Sequence, residues 1–171
     1  DIIFTADFTV AFWIKPPTEN DTWGPVIGPT ISTLCGIYYY NYAPYTGTFN
    51  VSGNILTASS SDIPLVANVW SFVCVRRTGT TVSIYINGVK SAQDGITSGT
   101  ITYNLLGYTP QYNEYLNALV DNLQLWNRAL TIQEILRLYN KSVGLYIQKN
   151  LTTDLIGYFP FDGNTNNLFK K

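Results

Sequence analysis

Tyrosine, tryptophan and asparagine side chains concentrate in and around two turn-flanked stretches of the sequence, YYYNYAPY and TPQYNEY. Aromatic rings stack on the C–H faces of sugar rings, and amide groups form hydrogen bonds with sugar hydroxyls. We therefore predict a glycan-binding rim formed by Trp23, Tyr40, Tyr42, Tyr45, Tyr112, Asn113 and Tyr115. The alternative is that these tyrosines pair across strands or pack at a protein interface.

The YYYNYAPY stretch reads as a strand, in which side chains alternate between the two faces of a sheet. This places Tyr38, Tyr40 and Tyr42 on one face and Tyr39 on the other. The four tryptophans divide in a similar way. Trp23 lies in a Gly-Pro segment and is expected to be exposed, and the three assigned to the core are Trp13, Trp70 and Trp126.

The acidic residues do not form a catalytic pair. Glycoside hydrolysis needs two carboxyl groups about 5–10 Å apart, whereas the eleven acids are isolated and none is two or four residues from another within a predicted strand. The chain has no histidine, which removes a Ser or Cys triad. We expect no catalytic residues and no enzymatic activity.

Charged residues make up 12% of the chain, against roughly 25% in an average soluble protein. Aromatic residues reach 15%, with thirteen tyrosines, a composition common in extracellular adhesive modules and in subunits of assemblies. The net charge of −1 and the scattered basic residues exclude a basic face for nucleic acid. Residues 22–61 are uncharged but too often interrupted by Gly, Pro, Ser, Thr and Asn to insert into a membrane.

The two cysteines, Cys35 and Cys74, both fall in predicted strands. They are either two buried, inert thiols or the partners of one disulfide. Four N-x-S/T sequons permit glycosylation without requiring it, at Asn20, Asn50, Asn140 and Asn150. The chain contains no methionine, so we expect a processed product or part of a longer polypeptide.

Strands and turns account for nearly all of residues 1–126. DFTVAFWIKP alternates Phe8, Val10, Phe12 and Ile14 with smaller or polar residues. The segment WSFVCVRRTGTTVSIYINGVKSA reads as two strands followed by an Asn87-Gly88 hairpin turn of type I′. Residues 99–108 and 115–126 add two more strands. Strands at this spacing predict a sandwich or jelly roll.

One short helix interrupts the strands near the end of the chain. Thr131 and Glu134 have the spacing of a capping box. The apolar stripe that follows consists of Ile132, Ile135, Leu136 and Tyr139. A helix of two to three turns is not stable alone, so it is expected to lie across the sandwich.

Three segments, FTVAFWIKP, WSFVCVRRTGTTVSIYINGV and LVDNLQLWNRALTIQEILRLYN, resemble laminin-G-like domains of the concanavalin A-like lectin/glucanase superfamily in order and spacing. The resemblance covers roughly residues 4–140. It implies an all-β, two-sheet antiparallel jelly-roll sandwich with one short C-terminal helix, and glycan or protein binding far more often than catalysis. We treat residues 1–171 as a single such domain.

Residues 141–171 read as a linker plus a strand, LIGYFPF, that resembles the opening strand of this family. Three arrangements explain an opening strand in last place: a circular permutation, the start of a following repeat, or donation to a neighbouring subunit. In the third arrangement, residues 155–161 would pair with a neighbouring subunit, so that the chains self-assemble. Pro160 lacks an N–H group and is expected at a sheet edge or strand end.

The resemblance also implies a structural calcium ion, because relatives often hold one with an aspartate from the last strand. Asp121 and Asp162 are the corresponding candidates in this sequence. The alternative is that Asp121 caps a turn or accepts hydrogen bonds from backbone amides.

These observations together predict a non-catalytic extracellular recognition module that binds carbohydrate or another protein surface in adhesion. Its location is expected to be extracellular, on a cell surface or on a virion surface. The alternative is a structural subunit of a virion or extracellular filament that uses the jelly roll as a building block.

Overall fold

The computed structural model describes residues 1–18, 22–29, 36–41, 48–52, 59–60, 62–97, 99–110, 112–141 and 153–161. The strands are β1 (Ile2–Phe4), β2 (Phe8–Lys15), β3 (Thr22–Gly28), β4 (Gly36–Asn41), β5 (Thr48–Ser52), β6 (Ser59–Ser60), β7 (Ser71–Thr78), β8 (Thr81–Ile86), β9 (Val89–Lys90), β10 (Gly95–Ile96), β11 (Ile101–Tyr103), β12 (Leu105–Leu106), β13 (Tyr108–Thr109), β14 (Glu114–Tyr115), β15 (Leu119–Trp126) and β16 (Leu155–Phe159). The helix α1 is Ile132–Lys141.

Two antiparallel sheets dominate the described part of the chain. A seven-stranded sheet has the order β10-β8-β7-β2-β15-β16, with β9 paired to β8, and a five-stranded sheet has the order β12-β3-β4-β5-β6. Two small pairs, β1 with β11 and β13 with β14, lie outside them. The predicted fold class, an all-β antiparallel sandwich with one short helix, is confirmed.

The core between the sheets follows from the alternation along β2. Phe8, Val10, Phe12 and Ile14 are fully buried there, as a strand with one face on a core requires. Both sheets contribute to the same cluster, which also contains Phe4, Val26, Ile37, Tyr39, Val73, Val75, Ile84, Tyr103, Leu123 and Leu125.

The hairpin turn predicted at Asn87-Gly88 is confirmed. Ile86 pairs with Val89 across the turn, and φ is 50° at Asn87 and 80° at Gly88, as type I′ requires. The Asn87 side chain also accepts a 2.9 Å hydrogen bond from the amide of Phe72. A Cβ atom at Gly88 would lie 2.9 Å from the Leu136 side chain, so the turn is fitted closely against the helix.

The prediction of one continuous strand over residues 99–108 is wrong. The segment consists of three short pieces, in β11, β12 and β13, each of which pairs with a different element. Gly107, with φ at 69°, turns the chain out of the five-stranded sheet between the last two pieces. The break is possible because glycine adopts positive φ at no steric cost.

The helix lies across the outer face of the seven-stranded sheet, as expected. A second cluster is buried beneath it, formed by Ala11, Phe72, Cys74, Tyr85, Trp126, Leu130 and Ile135. Tyr139 stacks on Trp13 at 6.2 Å between ring centroids. The predicted apolar stripe is wrong in part, since Ile132 and Leu136 are about 40% and 39% exposed while Leu138 packs on the cluster.

The capping box at the start of the helix is confirmed and extended by an arginine. The Thr131 amide donates to Glu134 Oε2 at 2.8 Å, and the Glu134 amide donates to Thr131 Oγ1 at 3.3 Å. Arg128 binds both carboxylate oxygens of Glu134, at 2.8 and 2.9 Å. These hydrogen bonds, led by that from Arg128, lower the pKa of Glu134 from 4.5 to about 2.

A buried threonine fixes the corner between β15 and the helix. The Thr9 hydroxyl, on β2, donates to the Arg128 carbonyl and accepts from the Leu130 amide, each at 2.9 Å. Thr9 is fully buried, so neither backbone group depends on water. The two bonds hold the corner against the middle of the sheet.

The expected tryptophan positions are only partly correct. Trp126 is fully buried, and Trp13 is half-buried against the second cluster. Trp70, which directly precedes β7, is 41% exposed, so its assignment to the core is wrong. Cys74 is a fully buried free thiol, which fits the first of the two cysteine alternatives, and burial raises its pKa. Cys35 lies outside the described residues.

The strand near the C-terminus pairs with β15 of the same chain and forms an edge of the seven-stranded sheet. Pro160 follows its last residue, where the missing N–H group removes no ladder bond.

In the described ranges, no helix has the length and apolar character needed to cross a bilayer.

Candidate functional site

The central strand of the five-stranded sheet carries the first group of predicted site residues. Tyr39 packs in the main core, and burial raises its pKa to about 12. Tyr38 and Tyr40 lie on the opposite face with ring centroids 6.2 Å apart. Tyr38 is only 4% exposed, whereas Tyr40 is half-buried. The predicted alternation is therefore present, and of these three rings Tyr40 is the one open to a ligand.

The ladder places several other candidates beside Tyr40. Trp23 of β3 is its partner on one side, and Thr48 of β5 is its partner on the other. Asn50, a sequon residue, is opposite Tyr38. Tyr42 and Tyr45 lie outside the described residues. Tyr40 is thus flanked on both sides by positions that carry aromatic or hydroxyl groups in the sequence.

The second group lies on a projecting hairpin, residues 108–115, which we call the tyrosine hairpin. Its strands pair Tyr108 with Tyr115 and Thr109 with Glu114. The rings of Tyr108 and Tyr115 are 4.6 Å apart with 31° between their planes. Tyr115 is 64% exposed and Tyr112 is 47% exposed. Such large exposed aromatic surfaces indicate a contact site.

Asn113 orders the tip of this hairpin. Its φ of 52° forms the turn, and its amide donates a weak 3.4 Å bond to the Pro110 carbonyl. Its side-chain oxygen accepts a hydrogen bond from the Tyr108 hydroxyl at 3.3 Å. Because the carbonyl oxygen is the acceptor in that bond, the amide nitrogen is left to donate to a ligand. Tyr108 is a residue that the sequence prediction missed, although YTPQYNEY places two tyrosines symmetrically about a Pro-containing turn.

A glycine fixes the hairpin against β3. A Cβ atom at Gly24 would lie 2.7 Å from Leu116 Cα and 2.9 Å from the Tyr115 carbonyl. The Gly107 amide donates to the Val26 carbonyl, and the Leu116 amide donates to the Gly107 carbonyl. The base of the hairpin is therefore held by backbone contacts that only glycine at position 24 permits.

The predicted rim divides into two parts on either side of β3. Gly24 pairs with Tyr39, whose ring faces the core, so the hairpin meets β3 from the core side at the sheet edge. Tyr40 lies on the other face of the sheet. The structure thus brings Tyr112, Asn113 and Tyr115 together on one hairpin, and places Tyr40 on the opposite face of the five-stranded sheet.

The candidate calcium residue Asp121 lies at a bulge in β15. Its carboxylate accepts a 2.7 Å hydrogen bond from the Asn122 amide, and Asn122 has a φ of 50°. The Asn122 side chain in turn accepts from the Tyr158 hydroxyl at 2.7 Å. Asp162 lies outside the described residues. Within the described ranges, no three His, Cys, Asp or Glu side chains group closely enough to hold a metal ion.

A family model of the concanavalin A-like lectin/glucanases superfamily, of the laminin G type, matches residues 1–136. No curated protein matches the sequence at a significant level. Solved structures are similar in fold at low identity. A candidate carbohydrate-binding protein from Bacteroides ovatus is 17% identical, with a TM-score of 0.67, over 94% of this chain and 47% of its own. This chain thus spans about half the length of that protein.

Two further structures have the same fold. Domain 4 of AbnA, an extracellular GH43 arabinanase from Geobacillus stearothermophilus in complex with arabinotriose, is 16% identical, with a TM-score of 0.62, over 80% of this chain and 68% of its own. A heptameric SAP-like pentraxin from Limulus polyphemus is 20% identical, with a TM-score of 0.55, over 79% of this chain and 70% of its own. From the match over residues 1–136 and the two-sheet architecture, the chain belongs to the concanavalin A-like lectin/glucanase superfamily, with a laminin-G-like domain.

Proposed function

We propose that the protein is a non-catalytic, extracellular carbohydrate-binding module whose main contact surface is the tyrosine hairpin. The observation that carries the proposal is the pair of exposed rings at the hairpin, Tyr112 and Tyr115, beside the Asn113 amide. Exposed aromatic faces and a nearby amide donor match the apolar and hydroxyl groups of a sugar. In the proposal, Trp23, Tyr40, Tyr42 and Tyr45 form a second group of candidate contacts, of which Tyr40 lies on the face of the five-stranded sheet opposite the hairpin.

Two solved relatives in fold support this assignment. The AbnA domain was solved with arabinotriose, and the Bacteroides ovatus protein is a candidate carbohydrate-binding protein. The absence of a catalytic role rests on the sequence, in which no two acids lie two or four residues apart within a predicted strand, as alternate carboxylates facing a cleft would require.

The test is a glycan array probed with the wild-type chain and with the double variant Tyr112→Ala, Tyr115→Ala. Stacking on aromatic rings is worth about 0.5–1.5 kcal/mol per ring, so the double variant should lose about tenfold or more in affinity. Its thermal midpoint should change little because both rings are exposed. Trp70→Ala, which removes an exposed aromatic away from the hairpin, is the matched control and should bind normally.

A second candidate function is that of a structural subunit in a surface assembly. The observation that favours it is the position of β16 at the edge of the seven-stranded sheet, since an edge strand can pair with a strand of another chain. In that case the full-length chain forms ordered oligomers that disappear when residues 151–171 are deleted, and shows no selective binding on the array. A monomer that binds glycans selectively contradicts it.

A further inference from the structure

The part of the molecule that carries the tyrosine hairpin contains almost no charge. Residues 22–61, from which β3 to β6 are formed, contain no Asp, Glu, Lys or Arg. Residues 95–113, which form β10 to β13 and the hairpin tip, contain none either. The one ionisable acid in the hairpin is Glu114, on β14. The whole five-stranded sheet and the hairpin therefore present one carboxylate and no cation among these residues.

The basic residues of the described ranges belong to other elements, namely β2, β7, β9, the corner after β15 and the helix. They are Lys15, Arg76, Arg77, Lys90, Arg128, Arg137 and Lys141. Several are engaged within the protein. Arg77 is 5% exposed and donates to the carbonyls of Gly79 and Gly99, and Lys90 is paired with Asp94 at 2.8 Å. Arg77 and Lys90 thus stabilise the fold on the side of the seven-stranded sheet.

From this distribution of charge we infer that the ligand of the hairpin is an uncharged saccharide, and not a sialylated, uronic or sulfated one. The inference rests on the proposed function. A carboxylate or sulfate group bound at an aromatic surface loses hydration and needs a cationic or multiple N–H partner in return. The hairpin offers the Asn113 amide, tyrosine hydroxyls and aromatic faces, which suit sugar hydroxyls and C–H groups. Glu114 adds repulsion toward an anion.

The charge argument also predicts how binding responds to salt. Interactions between charged groups weaken as ions screen them, whereas stacking and hydrogen bonding to neutral hydroxyls do not depend on screening. Affinity for the ligand should therefore change by less than about twofold between roughly 50 mM and 500 mM NaCl. An anionic ligand held by a cation elsewhere on the surface would show a steep decrease over the same range.

The experiment compares matched neutral and anionic glycans on the full chain. The probes are N-acetyllactosamine with its sialylated and sulfated forms, and xylotriose and arabinotriose with a glucuronic acid-substituted xylotriose. For whichever neutral probe binds, the anionic form should bind about tenfold or more weakly, because its anionic group loses hydration without gaining a cationic partner. The variant Glu114→Lys should reverse or abolish that preference. Lys15→Gln, on the sheet strand that pairs with β15, should leave it unchanged.

The possible outcomes separate this inference from the proposed function. Selective binding of neutral probes, insensitive to salt, supports both. Preferential binding of sialylated, sulfated or uronic forms, or a steep salt dependence, overturns the inference and leaves a carbohydrate-binding function in place. Absence of binding to every probe by a chain with a normal thermal midpoint overturns both.

Discussion

The two sides of the sandwich use polar groups in different ways. On the seven-stranded side, Arg128, Glu134 and Thr9 are tied by short hydrogen bonds to one another or to backbone groups. On the five-stranded side, the tyrosine hairpin leaves Tyr112 47% and Tyr115 64% exposed. The polar groups of the first side bind within the fold, whereas the second side exposes aromatic and amide groups to solvent. In the proposed function, stability and recognition are therefore assigned to different sides of the sandwich.

The largest effect is expected from Trp126→Ala. Its side chain is fully buried under the helix corner, and removing a buried tryptophan costs about 3–5 kcal/mol. Trp70→Ala removes an indole that is 41% exposed and should cost less than about 1 kcal/mol. Denaturant unfolding of both variants measures the difference. Equal losses would contradict the distinction between the buried and exposed tryptophans.

The next effect concerns acid stability on the same side. Because the pKa of Glu134 is about 2 in the folded state and 4.5 ordinarily, the folded state binds the proton less tightly than the unfolded state. The stabilisation, about 2–3 kcal/mol, is therefore complete above about pH 5 and is lost as the pH falls from about 4.5 to 2. Unfolding free energies measured between pH 2 and 7 should show this decrease.

Glu134→Gln should remove that part of the pH dependence and lower the stability at neutral pH. Glu114→Gln is the control on the other side of the sandwich, since within the described ranges Glu114 forms no ion pair. It should leave the acid limb as in the wild type. If both variants change the loss of stability at low pH equally, the ion pair between Arg128 and Glu134 is not the cause of that loss.

The smallest expected effect is from calcium. If Asp121 and Asp162 share an ion, excess chelator should lower the thermal midpoint, because a ligand of the folded state stabilises it by about 1–3 kcal/mol at concentrations well above its Kd. Asp121→Asn should lower the thermal midpoint in the absence of chelator, and chelator should then lower it no further. A wild-type melting curve that chelator does not change would leave Asp121 with its Asn122 hydrogen bond alone.

Local features of the fold were predictable from the sequence because their causes lie within a few residues. The Asn87-Gly88 turn and the Thr131–Glu134 capping box each depend on a single backbone requirement. The apolar stripe of the helix was less predictable, since Ile132 and Leu138 are similar in hydrophobicity and only the angle of docking on the sheet decides which is covered. The predicted burial of Trp70 was wrong for a related reason, because the burial of a side chain at a strand end depends on which elements pack over it.

The candidate site shows the same division. Composition identified the hairpin tyrosines, because exposed turns rich in aromatic residues are unusual. The pairing of Tyr108 with Tyr115, and the position of the hairpin on the core side of Gly24, depend on the register of β3 and on the turn at Gly107. Both depend on contacts between distant parts of the chain, and no short segment of the sequence reveals them.

The Thr9 contact has a consequence for how the chain is made. Thr9 bonds to groups 119 and 121 residues later in the sequence, and β2 pairs with β15 over a similar interval. At a synthesis rate of about 5–20 residues per second, the edge of β2 that pairs with β15 waits roughly 6–24 seconds for its partner, whereas β7, which pairs with the other edge, is made earlier. Folds dominated by such distant pairings form slowly. During this interval one edge of β2 is open to pairing with other nascent chains, so yield in recombinant expression should depend on translation speed and on chaperones that bind extended apolar segments.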